Sequence, residues 1–136
     1  MSRHSFPKSE HLCGKTRFQL LFREGQALYS SSLKLLYRVQ PATVSRTLVG
    51  VVVPKRLLRH AVDRNRMKRR MREAYRLGKP QFSPLPVPEP VQSELLFIYT
   101  DKSVRTYAEV KRSMDSLLSQ WRHRQLSATD KKNTEG

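Results

Sequence analysis

Arg64-Asn65-Arg66-Met67-Lys68-Arg69-Arg70-Met71-Arg72 carries six basic residues in nine, and the other three let it fold. Met67, Met71 and Ala74 fall on one side of an α-helix with Tyr75 at its edge, so a narrow stripe can bury while the rest stays in water. The helix reads from Val62 to Leu77, with Asp63 favourably near its start and Gly78-Lys79-Pro80 as the stop signal. Asn65, Arg69, Arg72 and Arg76 recur at i, i+4, i+7, i+11 and share a different face. Guanidinium forks beside an amide suit phosphate oxygens and base or ribose edges, because Arg donates two parallel bonds to a phosphate and Asn both donates and accepts. A merely solvated charged helix interleaves acids for i, i+4 pairing, whereas here only Asp63 and Glu73 flank the run. The partner expected of this face is a nucleic acid.

Outward from the basic helix, the chain alternates helices and strands. Thr47 to Val53 is rich in β-branched residues and apolar on both faces, as a central strand covered on both sides would be, before Pro54 removes a backbone donor. Leu33 to Val39 alternates, with Leu33, Leu35, Tyr37 and Val39 on one side and Lys34, Leu36 and Arg38 on the other; Pro41 ends it. Thr16 to Arg23 reads as a short helix with Phe18, Leu21 and Phe22 on one face, stopped at Gly25. Downstream, Glu94 to Thr100 is a further strand. Thr106-Tyr107-Ala108-Glu109 then matches a capping box, opening a helix whose stripe is Tyr107, Val110, Met114, Leu117, Leu118 and Trp121. This order predicts an α+β fold: a two-layer sandwich with helices packed on a small central β-sheet of 3-4 strands. Residues 15–126 form the single domain, interrupted by a proline-rich loop at 79–93. Residues 1–14 are expected to be a flexible N-terminus and 127–136, with no apolar residue beyond Ala128, a disordered tail.

Composition carries the charge argument to the whole molecule. The 27 Lys+Arg against 11 Asp+Glu give a formal net charge of +16 on 136 residues, a self-repulsion that a polyanion relieves. No apolar run approaches the roughly 20 residues that span a bilayer, and the polar start lacks a signal-peptide core, so a soluble, cytoplasmic protein without a membrane partner is expected. Cys13 is the only cysteine and His4, His11, His60 and His123 are scattered, which excludes an internal disulfide and gives no zinc spacing. A protein nuclease needs clustered carboxylates or a histidine acid/base pair, yet Asp63, Glu73, Glu94, Asp101, Glu109 and Asp115 are spread singly. The expected protein therefore has no metal site and no catalytic residues of its own. A basic RNA-binding module without an enzymatic role, such as a ribosomal protein, shares the same charge.

The residues that separate these readings are Pro54-Lys55-Arg56 followed by Ala61-Val62-Asp63-Arg64-Asn65-Arg66-Met67-Lys68-Arg69-Arg70-Met71-Arg72-Glu73-Ala74-Tyr75. This run resembles the signature of the bacterial ribonuclease P protein subunit, whose hallmark is Arg-Asn-Arg, any residue, Lys-Arg, two residues, Arg; every hallmark position matches. Phe18 to Gly25 is similar to the family's opening helix, Leu36-Tyr37 falls where its first strand presents an aromatic, and Leu95 to Tyr99 and Thr106 to Leu117 correspond to its last strand and helix.

The resemblance implies a protein that assembles with a catalytic RNA subunit and helps it remove the 5′ leader of precursor tRNA, the RNA and its bound magnesium (Mg2+) doing the hydrolysis. DNA is not expected as a partner. Carried over, Arg64, Asn65, Arg66, Lys68, Arg69 and Arg72 would contact the RNA subunit, joined by Lys55 and Arg56 ahead of the helix and by Arg76 on the helix face. Phe18, Phe22 and Tyr37 would line the cleft for the single-stranded leader, where stacking tolerates many sequences because every base has a π-face. The family's crossover through the basic helix is left-handed, against the general rule for βαβ units.

Overall fold

The computed structural model describes residues 15–82 and 90–135, with side chains described from 19 to 79 and from 90 to 126. Its elements run α1 (Lys15–Glu24), β1 (Gln26–Tyr29), β2 (Leu33–Pro41), β3 (Arg46–Val52), α2 (Ala61–Phe82), β4 (Val91–Tyr99) and α3 (Tyr107–Glu135). The four strands form one mixed sheet in the order β1-β2-β4-β3. β1, β2 and β4 pair antiparallel in turn, whereas β3 lies parallel to β4 and reaches it through α2. This is the expected α+β sandwich, with the basic helix as its crossover.

Strand alternation divides the core in two. Leu33, Leu35 and Tyr37 of β2, Val49 of β3, and Leu95, Phe97 and Tyr99 of β4 pack with Met67, Met71, Ala74 and Tyr75 of α2 and with Val110, Met114, Leu117, Leu118 and Trp121 of α3. The two methionines and Ala74 are fully buried, as the stripe requires. On the other face Leu36, Leu48 and Leu96 receive Leu21 of α1, so this short helix covers the side opposite to α2 and α3. Gly25 closes α1 by donating its amide to the Leu21 carbonyl at 2.9 Å, and a Cβ there would stand 2.5 Å from that oxygen. The capping box forms at α3: Glu109 N donates to Thr106 Oγ1 at 3.2 Å and Thr106 N to Glu109 Oε1 at 3.4 Å.

Four expectations change. Thr47 to Val53 reads as a central strand, but β3 lies at the sheet edge. It is apolar on both faces because Val49 meets the α2/α3 layer while Leu48 joins the α1 cluster. Gly78-Lys79-Pro80 does not stop α2, which continues to Phe82 and so takes in the first residues of the expected loop. Gly78 is instead a contact point between helices: a Cβ there would lie 3.0 Å from Leu118 Cδ1 and 3.1 Å from Asp115 Oδ1. At the loop's far end β4 starts at Val91, three residues ahead of Glu94, because Val91 pairs with Pro41 at the end of β2. Finally, the backbone of α3 runs through Glu135, past Ser127 where the tail was expected; residues 127–135 contain neither Gly nor Pro to end it. The N-terminus, 1–14, and the loop core, 83–89, lie outside the described residues.

Candidate nucleic-acid interface

The outward face of α2 carries the predicted array. Asn65, Lys68, Arg69, Arg72, Glu73 and Arg76 line one open groove of about 400 Å³, four cations against a single carboxylate. Asn65, Arg66, Arg69 and Arg72 are exposed, and among the described residues none of them has an ion-pair partner. The exception in the groove is Arg76, whose Nε donates to Glu73 Oε2 at 3.0 Å. That hydrogen bond holds the Arg76 pKa above its ordinary value. An open groove of this kind cannot enclose a small ligand, but guanidinium forks spaced along one helix face match the repeating charge of a phosphate backbone.

A second cationic hollow precedes the helix, lined by Lys55, Arg56 and Arg59, all exposed. Arg59 escaped the sequence reading because it lies outside the hallmark, although it closes the basic stretch Lys55-Arg56-Leu57-Leu58-Arg59. Two arginines of the basic run turn inward instead. Arg64 Nη1 donates to the carbonyls of Leu58 and Arg59 at 2.9 and 2.8 Å. Arg70 Nη1 donates to the carbonyl of Arg105, tying α2 to the segment that opens α3.

Of the three residues expected to line an aromatic cleft, Tyr37 and Phe22 lie on opposite sides of the sheet. Tyr37 is a core residue: its ring is 3% exposed on the α2/α3 face of the sheet. Its hydroxyl donates to Gln26 Oε1 at 2.8 Å and accepts from Arg124 Nη1 at 3.3 Å. A ring so enclosed presents no face to a base, and α1 lies across the sheet from it. Phe22 of α1 is 63% exposed, as a stacking residue must be. Phe18 lies in α1 outside the residues whose side chains are described.

The α1 side of the sheet supplies another aromatic. Register places Tyr29 opposite Lys34, Lys34 opposite Ile98 and Ile98 opposite Val52, one row across all four strands. Tyr29 is 63% exposed, with the Lys34 ammonium 5.5 Å from its ring centre. Deeper on the same face, Arg38 Nε and Nη2 donate to Glu94 Oε1 at 3.0 and 2.7 Å, the carboxylate being 1% exposed. The signal for Tyr29 was its alternation with Leu28, which is visible only once β1 is recognised as a strand.

Two further carboxylates, beside the start of α3, are similarly occupied within the protein. Asp101 accepts from Ser103 N and Arg105 Nε at 2.9 and 2.6 Å, and Glu109 from Thr106 and Arg105, so both are held below the ordinary carboxylate range, first by the hydrogen bonds from Ser103 and Thr106 respectively. Among the described residues no three His, Cys, Asp or Glu side chains converge as metal ligands, and no helix is long and apolar enough to cross a membrane.

A mixed four-stranded sheet with a crossover helix that buries one stripe and presents an arginine face defines a small, highly basic α+β protein built around an exposed cationic helix. The chain belongs to the ribonuclease P protein family: the family described as Ribonuclease P matches residues 6–122. It is similar to the ribonuclease P protein component of Porphyromonas gingivalis, 32% identical over 114 residues that make up 82% of each chain. Among solved structures, the RNase P protein of Thermotoga maritima matches with a TM-score of 0.60 at 26% identity, over 82% of this chain and 96% of that one. The RNase P protein of Staphylococcus aureus shares the fold, with a TM-score of 0.64 at 18% identity over 82% and 94% of the two chains.

Proposed function

We propose that this chain is the protein subunit of a cytoplasmic ribonuclease P that binds a catalytic RNA through α2 and the 5′ leader of precursor tRNA through the α1 side of the sheet. The observation that carries the reading is the α2 groove, four cations and Asn65 set against one carboxylate in a member of this family. RNA phosphates would take Lys68, Arg69 and Arg72 directly, with Arg66, Lys55 and Arg56 extending the surface. The leader would stack on Phe22 and Tyr29, both exposed, with Lys34 compensating a phosphate; this pairing replaces the trio that included Tyr37.

In this reading Mg2+ belongs mainly to the RNA, which carries the hydrolysis. Five of the described acids support that division of labour, since Glu73, Glu94, Asp101, Glu109 and Asp115 are each engaged by a cation of the protein itself, which leaves Asp63 standing alone on α2. The protein's part is to neutralise phosphate repulsion that Mg2+ otherwise screens, and to hold the substrate's single strand. Mixing the protein with the ribonuclease P RNA of its source organism and following 5′ leader removal at low Mg2+ tests the reading. Cleavage is expected to accelerate with both components and to be absent with protein alone. Robust cleavage by RNA-free protein, or RNA binding without any stimulation, as a ribosomal protein would give, overturns it.

A further inference from the structure

We propose that Arg64 is a positioning residue rather than an RNA contact: it holds residues 54–60 so that Lys55, Arg56 and Arg59 form a second phosphate site, separate from the α2 groove. The proposal rests on the RNA-binding reading above. Both hydrogens of Arg64 Nη1 are committed to backbone, to the carbonyls of Leu58 and Arg59 at 2.9 and 2.8 Å. The same segment is tied at its other end, where Leu57 and Leu58 donate their amides to the Pro54 carbonyl at 3.1 and 3.4 Å. Leu58, 6% exposed, anchors its middle in the core cluster beneath the sheet. A segment fixed at three points projects its remaining side chains in a set direction, and here those are three cations around one hollow. Among the described residues none of the three has a carboxylate partner.

Three uncompensated cations around a concave surface have one evident ligand chemistry, the oxygens of a polyanion backbone. Rigidity matters because a flexible segment would lose conformational freedom on binding, and a clamped one has already lost it. Arg64 is half-buried. One terminal nitrogen, held in the plane of the guanidinium, reaches two successive carbonyls, a reach and orientation that the shorter lysine side chain does not share.

A double-mutant cycle separates positioning from direct contact. Binding to the ribonuclease P RNA of the source organism is measured for Arg64→Ala, for the triple variant Lys55→Ala/Arg56→Ala/Arg59→Ala, and for the combination. The triple variant should reduce the log-log salt slope by about two units or more, at roughly 0.7 to 0.9 per phosphate contact. Arg64→Ala should weaken binding about tenfold in the otherwise intact protein and less than about twofold in the triple background, because nothing is left to position. Equal losses in both backgrounds overturn the positioning role and return Arg64 to the RNA contacts. Should Arg64→Ala fail to fold, Arg64→Lys in the same cycle reads the same coupling. A second measurement needs no RNA: the Leu57 and Leu58 amides should exchange faster in the Arg64 variant while the Met67 to Tyr75 amides stay protected, and unchanged exchange overturns the clamp. Wild-type protein that does not bind the RNA overturns the functional reading and the phosphate site with it, leaving the exchange result to decide the clamp.

Discussion

Replacing Tyr37 by Ala decides between two roles that sequence alone leaves equivalent, a stacking platform for the leader and a core ring. The ring is 3% exposed among the side chains of the α2/α3 layer. Truncating a large aromatic in such a place costs about 3 to 5 kcal/mol, the lost transfer energy plus the cavity left behind. The hydroxyl contributes little of this. Its partners Gln26 and Arg124 are both exposed, so Tyr37→Phe lets them turn to water and should cost about 1 kcal/mol or less. For a domain of this size, roughly 3 to 4 °C per kcal/mol puts the Tyr37→Ala melting temperature about 10 °C or more below wild type. The assay pairs a thermal melt with affinities for precursor and mature tRNA, measured well below the lowered transition. The preference for precursor should be unchanged in folded Tyr37→Ala. It should drop roughly five-fold or more in Phe22→Ala, where 63% exposure leaves stability within about 0.5 kcal/mol of wild type and a lost stack costs about 1 to 3 kcal/mol. A Tyr37→Ala protein that melts like wild type yet no longer separates precursor from mature tRNA would refute the argument.

Other consequences are open to equally direct measurement. Arg69→Ala/Arg72→Ala should weaken RNA binding and lower the salt slope by about one unit per lost contact at most, with folding intact because both are exposed and unpaired; titration at several salt concentrations reads both quantities. Met71→Asp places a charge in a fully buried position and should destabilise by about 4 kcal/mol or more, enough to leave little folded protein by circular dichroism. Burial, then the Asp101 charge, pushes the Tyr99 hydroxyl up to about 12 while it donates to the Ser103 carbonyl. The native state therefore keeps this proton after the unfolded chain, near 10, has lost it, so stability is fully present below pH 10 and declines between about 10 and 12. Denaturant melts across that window should show a shallower decline for Tyr99→Phe than for wild type.

What the sequence made legible follows from the range of each signal. The methionine stripe of α2, the α3 stripe ending at Trp121 and the capping box at Thr106 are local periodicities, and all three recur in the structure. The alternation of β2 is equally local, and it correctly grouped Tyr37 with Leu33, Leu35 and Val39. It could not say which helix would cover that side. Because α2 and α3 do, and α1 takes the other, the Tyr37 ring lies among helix side chains rather than on an open face. Gly78 illustrates the same limit: glycine after a helical run reads as a terminus, whereas its meaning here lies in the approach of Leu118 from a helix distant in sequence.

The basic run itself shows the limit most sharply, since composition counts charges without saying what they face. Of the six cations between Arg64 and Arg72, Arg64 and Arg70 give a terminal nitrogen to backbone carbonyls, whereas Arg66, Lys68, Arg69 and Arg72 have no protein acceptor among the described contacts. Four phosphate contacts from these side chains would give a salt slope of about 3 to 4 units. The other two arginines also act within the protein. One fixes the segment that carries Lys55, Arg56 and Arg59, and the other fixes α2 against the start of α3. The same residue type thus builds the frame and fills it, and only the carbonyls within reach of each guanidinium separate the two uses.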